Sequence, residues 1–84
     1  MDWFDKIESV SNKQQFLEFV NLLSADYKKN RDEWENKSID LFLQAIEGWM
    51  EDMEGFYENS GLDTPKNIDW NFLANMLYVG KIYE

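Results

Sequence analysis

Residues 39–61 read IDLFLQAIEGWMEDMEGFYENSG, and this stretch decides the fold. Its apolar side chains recur every three or four positions over about five turns, which is the spacing of one helical face. They are Ile39, Phe42, Leu43, Ile46, Trp49, Met50, Met53 and Phe56 or Tyr57. Ser38 can cap the start, and Asn59 to Gly61 supply a stop, with Gly61 suited to the left-handed C′ position. The sequence therefore predicts one long amphipathic helix here.

A second helix is predicted before this stretch, over about residues 12–29. It begins at an S-x-x-Q capping box formed by Ser11 and Gln14. Its apolar face consists of Phe16, Phe19, Val20, Leu23 and Tyr27. A shorter apolar cluster near the start, made of Trp3, Phe4 and Ile7, suits one or two helical turns.

A last helix is predicted after Pro65, with Asn67 or Asp69 as its cap. Gly80 lies inside it and costs about 1 kcal/mol against alanine, so close backbone packing is its expected reason. No segment alternates with period two for long enough to predict a strand. The sequence therefore predicts an all-α fold: a small helical bundle of three main helices plus a short N-terminal helix, in a single helical domain over residues 1–84.

Composition excludes several classes of function. The chain has no cysteine and no histidine, which removes disulfides, thiolate nucleophiles, the commonest metal ligand and the commonest general base. Its 17 acids against 8 bases would repel phosphates, so direct nucleic-acid binding is not expected. No apolar run approaches the ~20 residues of a membrane span, and the start does not resemble a signal peptide. We therefore expect a non-enzymatic, cytoplasmic protein with no cofactor and no membrane partner.

An acidic stripe runs along the long helix, opposite its apolar face. Glu47, Glu51, Glu54 and Glu58 are spaced by 4, 3 and 4 residues, and Asp40 lies one heptad before Glu47. Such residues should face water and stay ionised. Either they only keep the protein soluble or they bind a basic protein surface. Trp34, on the polar connector before this helix, is predicted either to anchor in the core or to join that partner-binding surface.

Clustered carboxylates such as those near Gly55 occur in two kinds of site, metal sites and small-ligand sites. A calcium loop starting at Asp52 fails, because phenylalanine and tyrosine occupy the positions that need an oxygen ligand and glycine. No metal site is expected. Asp52 instead lies on a strip with Ala45 and Gly48, which would let another helix approach, and it should accept a hydrogen bond there. Asp52, Tyr57 and Asn59 remain candidates for a small-ligand site.

Two segments carry a resemblance to a known family. DEWENKSIDLFLQAIEGWMEDMEGFYENSG (residues 32–61) and WNFLANMLYVGKIYE (residues 70–84) resemble a family of small acidic bacterial proteins of unknown function. The shared features are a W-E-N connector, an L-x-x-F-L-x-A-x-x-x-W helix, a D-M-x-G-x-Y-x-N turn and a K-I-Y-E end. The resemblance spans about residues 10–84 and implies the fold and a bacterial origin, but no reaction.

The leading hypothesis is thus an acidic protein-interaction module that binds a basic protein surface. An immunity-type inhibitor of a basic toxin is its most concrete form, by analogy with other small acidic bacterial proteins. Two alternatives remain open. One is a DNA-mimic regulator, which would need a second acidic row. The other is a small-ligand or metal-binding domain around Asp52, Tyr57 and Asn59. The sequence does not indicate an oligomeric state.

Overall fold

The computed structural model describes residues 2–83. In chain order its helices are α1 (Trp3–Glu8), α2 (Lys13–Lys29), α3 (Ile39–Asn59) and α4 (Trp70–Ile82), with a 3₁₀ turn at Arg31–Glu33. No strand occurs within the described part of the chain. The predicted all-α fold, with three main helices and a short N-terminal one, is confirmed.

The start of α2 lies one residue further along than predicted. Helical geometry begins at Lys13, so Asn12 is the N-cap, and its side chain accepts a 2.8 Å hydrogen bond from the backbone N–H of Gln15. Gln15 reaches back, and its Oε1 accepts from the backbone N–H of Ser11. The predicted pairing of Ser11 with Gln14 is therefore wrong. The N-cap moves one position later to Asn12, and the N3 residue Gln15 bonds back to Ser11, one residue before the N-cap, instead of to the N-cap residue as in a capping box.

The two ends of α3 differ in how they are capped. Ser38 occupies the N-cap position, but its hydroxyl donates to Asp40 at 2.6 Å and caps no backbone amide. At the other end Gly61 has φ of +72°, as predicted for a left-handed C′ residue. The N–H of Leu62 donates to the Tyr57 carbonyl at 2.9 Å, which completes a Schellman motif.

Helix α4 is the centre of the bundle. It packs against α1, α2 and α3, and Lys81 is the one ionisable charged residue within it. An apolar helix with so little polar surface is expected to be enclosed by others. Asp69 begins it by accepting a 2.7 Å hydrogen bond from the backbone N–H of Phe72, in agreement with one of the two predicted caps.

Gly80 allows α4 to approach α3. A Cβ at this position would lie closer than 3.0 Å to three atoms of the Phe42 ring. The close packing predicted for Gly80 is therefore confirmed. Beside it, Asn36 is buried and its Nδ2 donates to the carbonyls of Gly80 (3.0 Å) and Tyr83 (2.7 Å). The connector before α3 thus holds the C-terminal end of α4.

The apolar face predicted for α3 is only partly covered by other parts of the protein. Trp49 is buried, whereas Ile39 is 72% exposed and Leu43 57% exposed. Met50 and Phe56 are exposed as well. The reason is that α3 has one main helical neighbour, α4, and a single neighbour covers a narrower face than the helical periodicity spans.

Candidate functional site

The acidic stripe faces solvent. The side chains of Asp40, Glu47, Glu51, Glu54 and Glu58 are all exposed. Among residues 2–83 the one ion pair joins Lys81 to Asp26, so no lysine or arginine neutralises the stripe. Helix α3 is therefore oriented about its axis as predicted, with these carboxylates exposed to solvent.

Asp40, at the start of the stripe, is held in its charged form by local hydrogen bonds. The Ser38 hydroxyl and then the backbone N–H of Leu41 keep the pKa of Asp40 below its ordinary value. A carboxylate in the first turn of a helix also interacts favourably with the positive end of the helix dipole. The stripe thus begins with a charge that persists at neutral pH.

Beside the stripe lies a groove between the C-terminal half of α3 and α4. It encloses about 670 Å³. The apolar and aromatic part of its lining, called here the groove floor, consists of Phe4, Trp49, Phe56, Tyr78, Val79 and Ile82. Three carboxylates, those of Glu51, Asp52 and Glu54, line it as well, and no lysine or arginine does. The lining of the groove therefore combines an apolar floor with three negatively charged side chains.

Asp52 makes a structural contact at this groove. As predicted, it accepts a hydrogen bond on this strip, and the donor is the Tyr83 hydroxyl at 2.9 Å. This hydrogen bond, burial of the ring and the negative charge of Asp52 raise the pKa of Tyr83. A Cβ at Gly48 would come within 3.4 Å of the Tyr83 ring, so the small residues of the strip make room for this tyrosine.

The three candidate ligand residues do not form one site. Asp52 and Asn59 both line the groove. Tyr57 instead packs in the core against Trp49, where burial and then the charge of Asp69 raise its pKa. Within residues 2–83, no three carboxylates are grouped so that they could hold a metal ion.

Trp34 is a core anchor, which corrects its assignment to the partner-binding surface. It is buried, and its ring lies edge-on to Tyr27 with centroids 4.9 Å apart. Its indole N–H donates to the Asp26 carboxylate at 2.8 Å. The Asp26 side chain is only 11% exposed, so the indole that donates to it points inward. With 6% of Trp34 exposed, little of its ring is accessible to a partner.

A buried ion pair between α2 and α4 was not predicted. Lys81 Nζ lies 2.9 Å from Asp26 Oδ2, and their side chains are 8% and 11% exposed. The same ammonium lies 4.9 Å from the Trp3 ring centroid, within cation–π range. Two sequence signals were available: Asp26 falls on the apolar face of α2, next to Tyr27, and Lys81 is the lone charge in α4.

The electrostatics of this pair favour a structural role. Burial alone would raise the pKa of Asp26, but the Asn30 amide, Lys81 and the Trp34 indole all donate to it and outweigh that effect. The pKa of Asp26 is consequently lowered. A carboxylate with three donors has little capacity left for a ligand or a substrate proton.

Comparison with known proteins gives one match. A family model described as "Family of unknown function (DUF7660)" matches residues 12–84. This range contains α2, the connector, α3 and α4, whereas α1 lies before it. No curated protein and no solved structure matches the chain. None of the helices within residues 2–83 is both long and apolar enough to cross a membrane.

Proposed function

The chain belongs to the DUF7660 family of unknown function, and from this premise we propose that it is a non-enzymatic module whose acidic stripe binds a basic surface of another protein. One observation carries the proposal. From Asp40 to Asp63 there are seven acids and no base, and five of these acids form the exposed stripe of a single helix.

The stripe is unfavourable for the helix itself. Like charges three or four residues apart cost a few tenths of a kcal/mol per pair, and lysines among them would stabilise α3. A basic partner would supply the missing positive charge. It would also be attracted from a distance, which speeds association in a salt-dependent way.

A catalytic role has little support in the side chains. The chain lacks histidine and cysteine, and the buried Lys81 is paired with Asp26, whose side chain is 11% exposed. We propose a cytoplasmic location and a bacterial origin, and the most concrete form of the proposal is an immunity-type inhibitor of a basic toxin. The competing small-ligand function draws support from the groove, since about 670 Å³ lies within the roughly 300–1,000 Å³ typical of ligand pockets.

Affinity capture with two charge-matched variants tests the proposal. In the stripe variant Glu47, Glu51, Glu54 and Glu58 become glutamine. In the control variant the exposed Glu8, Glu18, Glu33 and Glu35 become glutamine instead, so both proteins have the same formal charge. Each is used as bait beside the wild type in 50 mM and 500 mM salt.

We expect wild type and control to capture the same basic proteins at low salt and the stripe variant to lose them. High salt should release them as well, because it shortens the screening length to a few ångströms. Equal loss of capture by both variants would show that only total charge matters, and capture by the stripe variant at the wild-type level would show that the stripe is not the binding surface. Capture that persists at 500 mM salt would also contradict the electrostatic proposal.

A further inference from the structure

Resting on the function proposed above, we propose that the groove between α3 and α4 is the docking site for a basic amphipathic helix of the partner protein. The apolar face of that helix would lie on the groove floor. Its lysines and arginines would meet the carboxylates of the groove and, beyond them, the acidic stripe.

The groove floor exposes large apolar side chains from three helices. Phe4 of α1 is 64% exposed, Phe56 of α3 47% and Ile82 of α4 44%. Phe4 and Tyr78 pack with ring centroids 6.1 Å apart, so the surface continues from α1 onto α4. Contiguous apolar surface of this kind on a small protein is typical of a binding site.

Charge complementarity identifies the occupant. Glu51, Asp52 and Glu54 line the groove, and no lysine or arginine does. Lys81, the one base of α4, is buried against Asp26 and so does not neutralise these carboxylates. A bound apolar segment without positive charge would leave the groove carboxylates without a counter-ion. A purely basic segment would leave the apolar groove floor exposed to water. A basic amphipathic helix satisfies both.

The size of the groove suits several anchoring side chains. At about 670 Å³ it exceeds what a single side chain fills. Amphipathic helices bind such grooves through anchors at positions i, i+3, i+4 and i+7. Glu47 lies one turn before Glu51 and Glu58 one turn after Glu54, both outside the groove lining. They are placed to meet bases on the flanks of the docked helix.

A designed peptide is the probe. It has 18 residues, with leucine at i, i+3, i+4 and i+7 spacing and lysine on the opposite face. A second peptide has the same composition in an order that destroys the apolar face. Binding to the full chain is measured by titration calorimetry, and we expect the amphipathic peptide to bind about tenfold more tightly or better.

Matched variants locate the binding. Phe4→Ser and Ile82→Ser remove exposed apolar side chains of the groove. Ile39→Ser and Leu43→Ser are the controls, because they remove apolar side chains of α3 that are somewhat more exposed and lie outside the groove. We expect about tenfold weaker binding for the groove variants and less than twofold change for the controls. Amide chemical-shift changes in the wild-type chain, mapped by NMR, locate the peptide even if a variant folds poorly.

The outcomes separate this inference from the function it rests on. If both peptides bind equally and the shift changes follow the acidic stripe without the groove, the docking site is overturned and the acidic module stands. If neither peptide binds, the docking site is overturned, whereas the acidic module is decided separately by capture with the charge-matched variants. Two other results would overturn the helix as occupant of the groove. One is that a small organic cation such as phenethylamine binds more tightly than the peptide. The other is that the chain dimerises through the groove in a sedimentation experiment.

Discussion

Substituting alanine for Gly80 should destabilise the bundle even though alanine is the better helix former. A methyl group at this position would overlap three atoms of the Phe42 ring, itself stacked on Trp34 at 6.4 Å between centroids. Such overpacking typically costs about 1–3 kcal/mol. Helix propensity returns about 1 kcal/mol. The net loss in free energy of unfolding should therefore be about 0–2 kcal/mol.

Gly55→Ala is the matched control, because Gly55 lies in α3 with nothing within 4 Å of the added methyl. This variant should gain up to about 1 kcal/mol. The two variants should thus differ by about 1–3 kcal/mol, or about 4–8 °C in Tm for each kcal/mol. Urea and thermal unfolding followed by tryptophan fluorescence measure the difference. Equal stability of the two variants would refute the close approach of α4 to Phe42. In a Phe42→Leu background, Gly80→Ala should lower the free energy of unfolding by less than it does in the wild type.

Further predictions concern the caps and the buried polar groups. Asp26→Asn should lower the free energy of unfolding by about 3–5 kcal/mol, because it leaves Lys81 buried and unpaired. Adding Lys81→Met should restore much of this free energy, as measured by urea unfolding. The pKa of Asp26 is lowered below 3.8 in the folded protein. Its contribution to the free energy of unfolding is therefore full above pH 3.8 and is lost as the pH falls through the pKa of the folded protein. The free energy of unfolding of Asp26→Asn, measured as a function of pH, should accordingly fall less steeply in acid than that of the wild type. Asp69→Ala should lower the free energy of unfolding by about 1 kcal/mol and Ser38→Ala by much less. The reason is that, of these two N-cap side chains, Asp69 accepts a hydrogen bond from a backbone amide and Ser38 does not. Thermal unfolding compares the two variants. Asn36→Ala should cost about 1–3 kcal/mol in the same assay, because it leaves the carbonyls of Gly80, in α4, and of Tyr83, just after it, without this donor.

The course of the helices could be predicted from local sequence. The bounds of α2 and α3, the left-handed Gly61 and the wet acidic stripe follow from periodicity and turn chemistry, which act within a few residues. The cap of α2 was misplaced by one residue because Ser11 and Asn12 are both good N-caps. Such alternatives differ by little in free energy, and the packing of the following helix decides between them.

What could not be predicted depends on contacts between distant segments. Asp26 and Lys81 are 55 residues apart, and only the packing of α2 on α4 brings them together. Periodicity likewise shows which side of α3 is apolar but not how much of that side a neighbour covers, so it does not reveal that Ile39 and Leu43 are exposed. The groove has the same origin, since α1, α3 and α4 all contribute to it.

The most direct test of the central claim is carbodiimide cross-linking of the chain to the basic proteins it captures, followed by peptide mass spectrometry. This reagent joins a carboxylate to a lysine only where the two already touch. We predict that the cross-links to partner lysines fall on Glu47, Glu51, Glu54 and Glu58. Cross-links that fall instead on Glu8, Glu18, Glu33 and Glu35, which are equally exposed, would contradict the assignment of the acidic stripe as the binding surface.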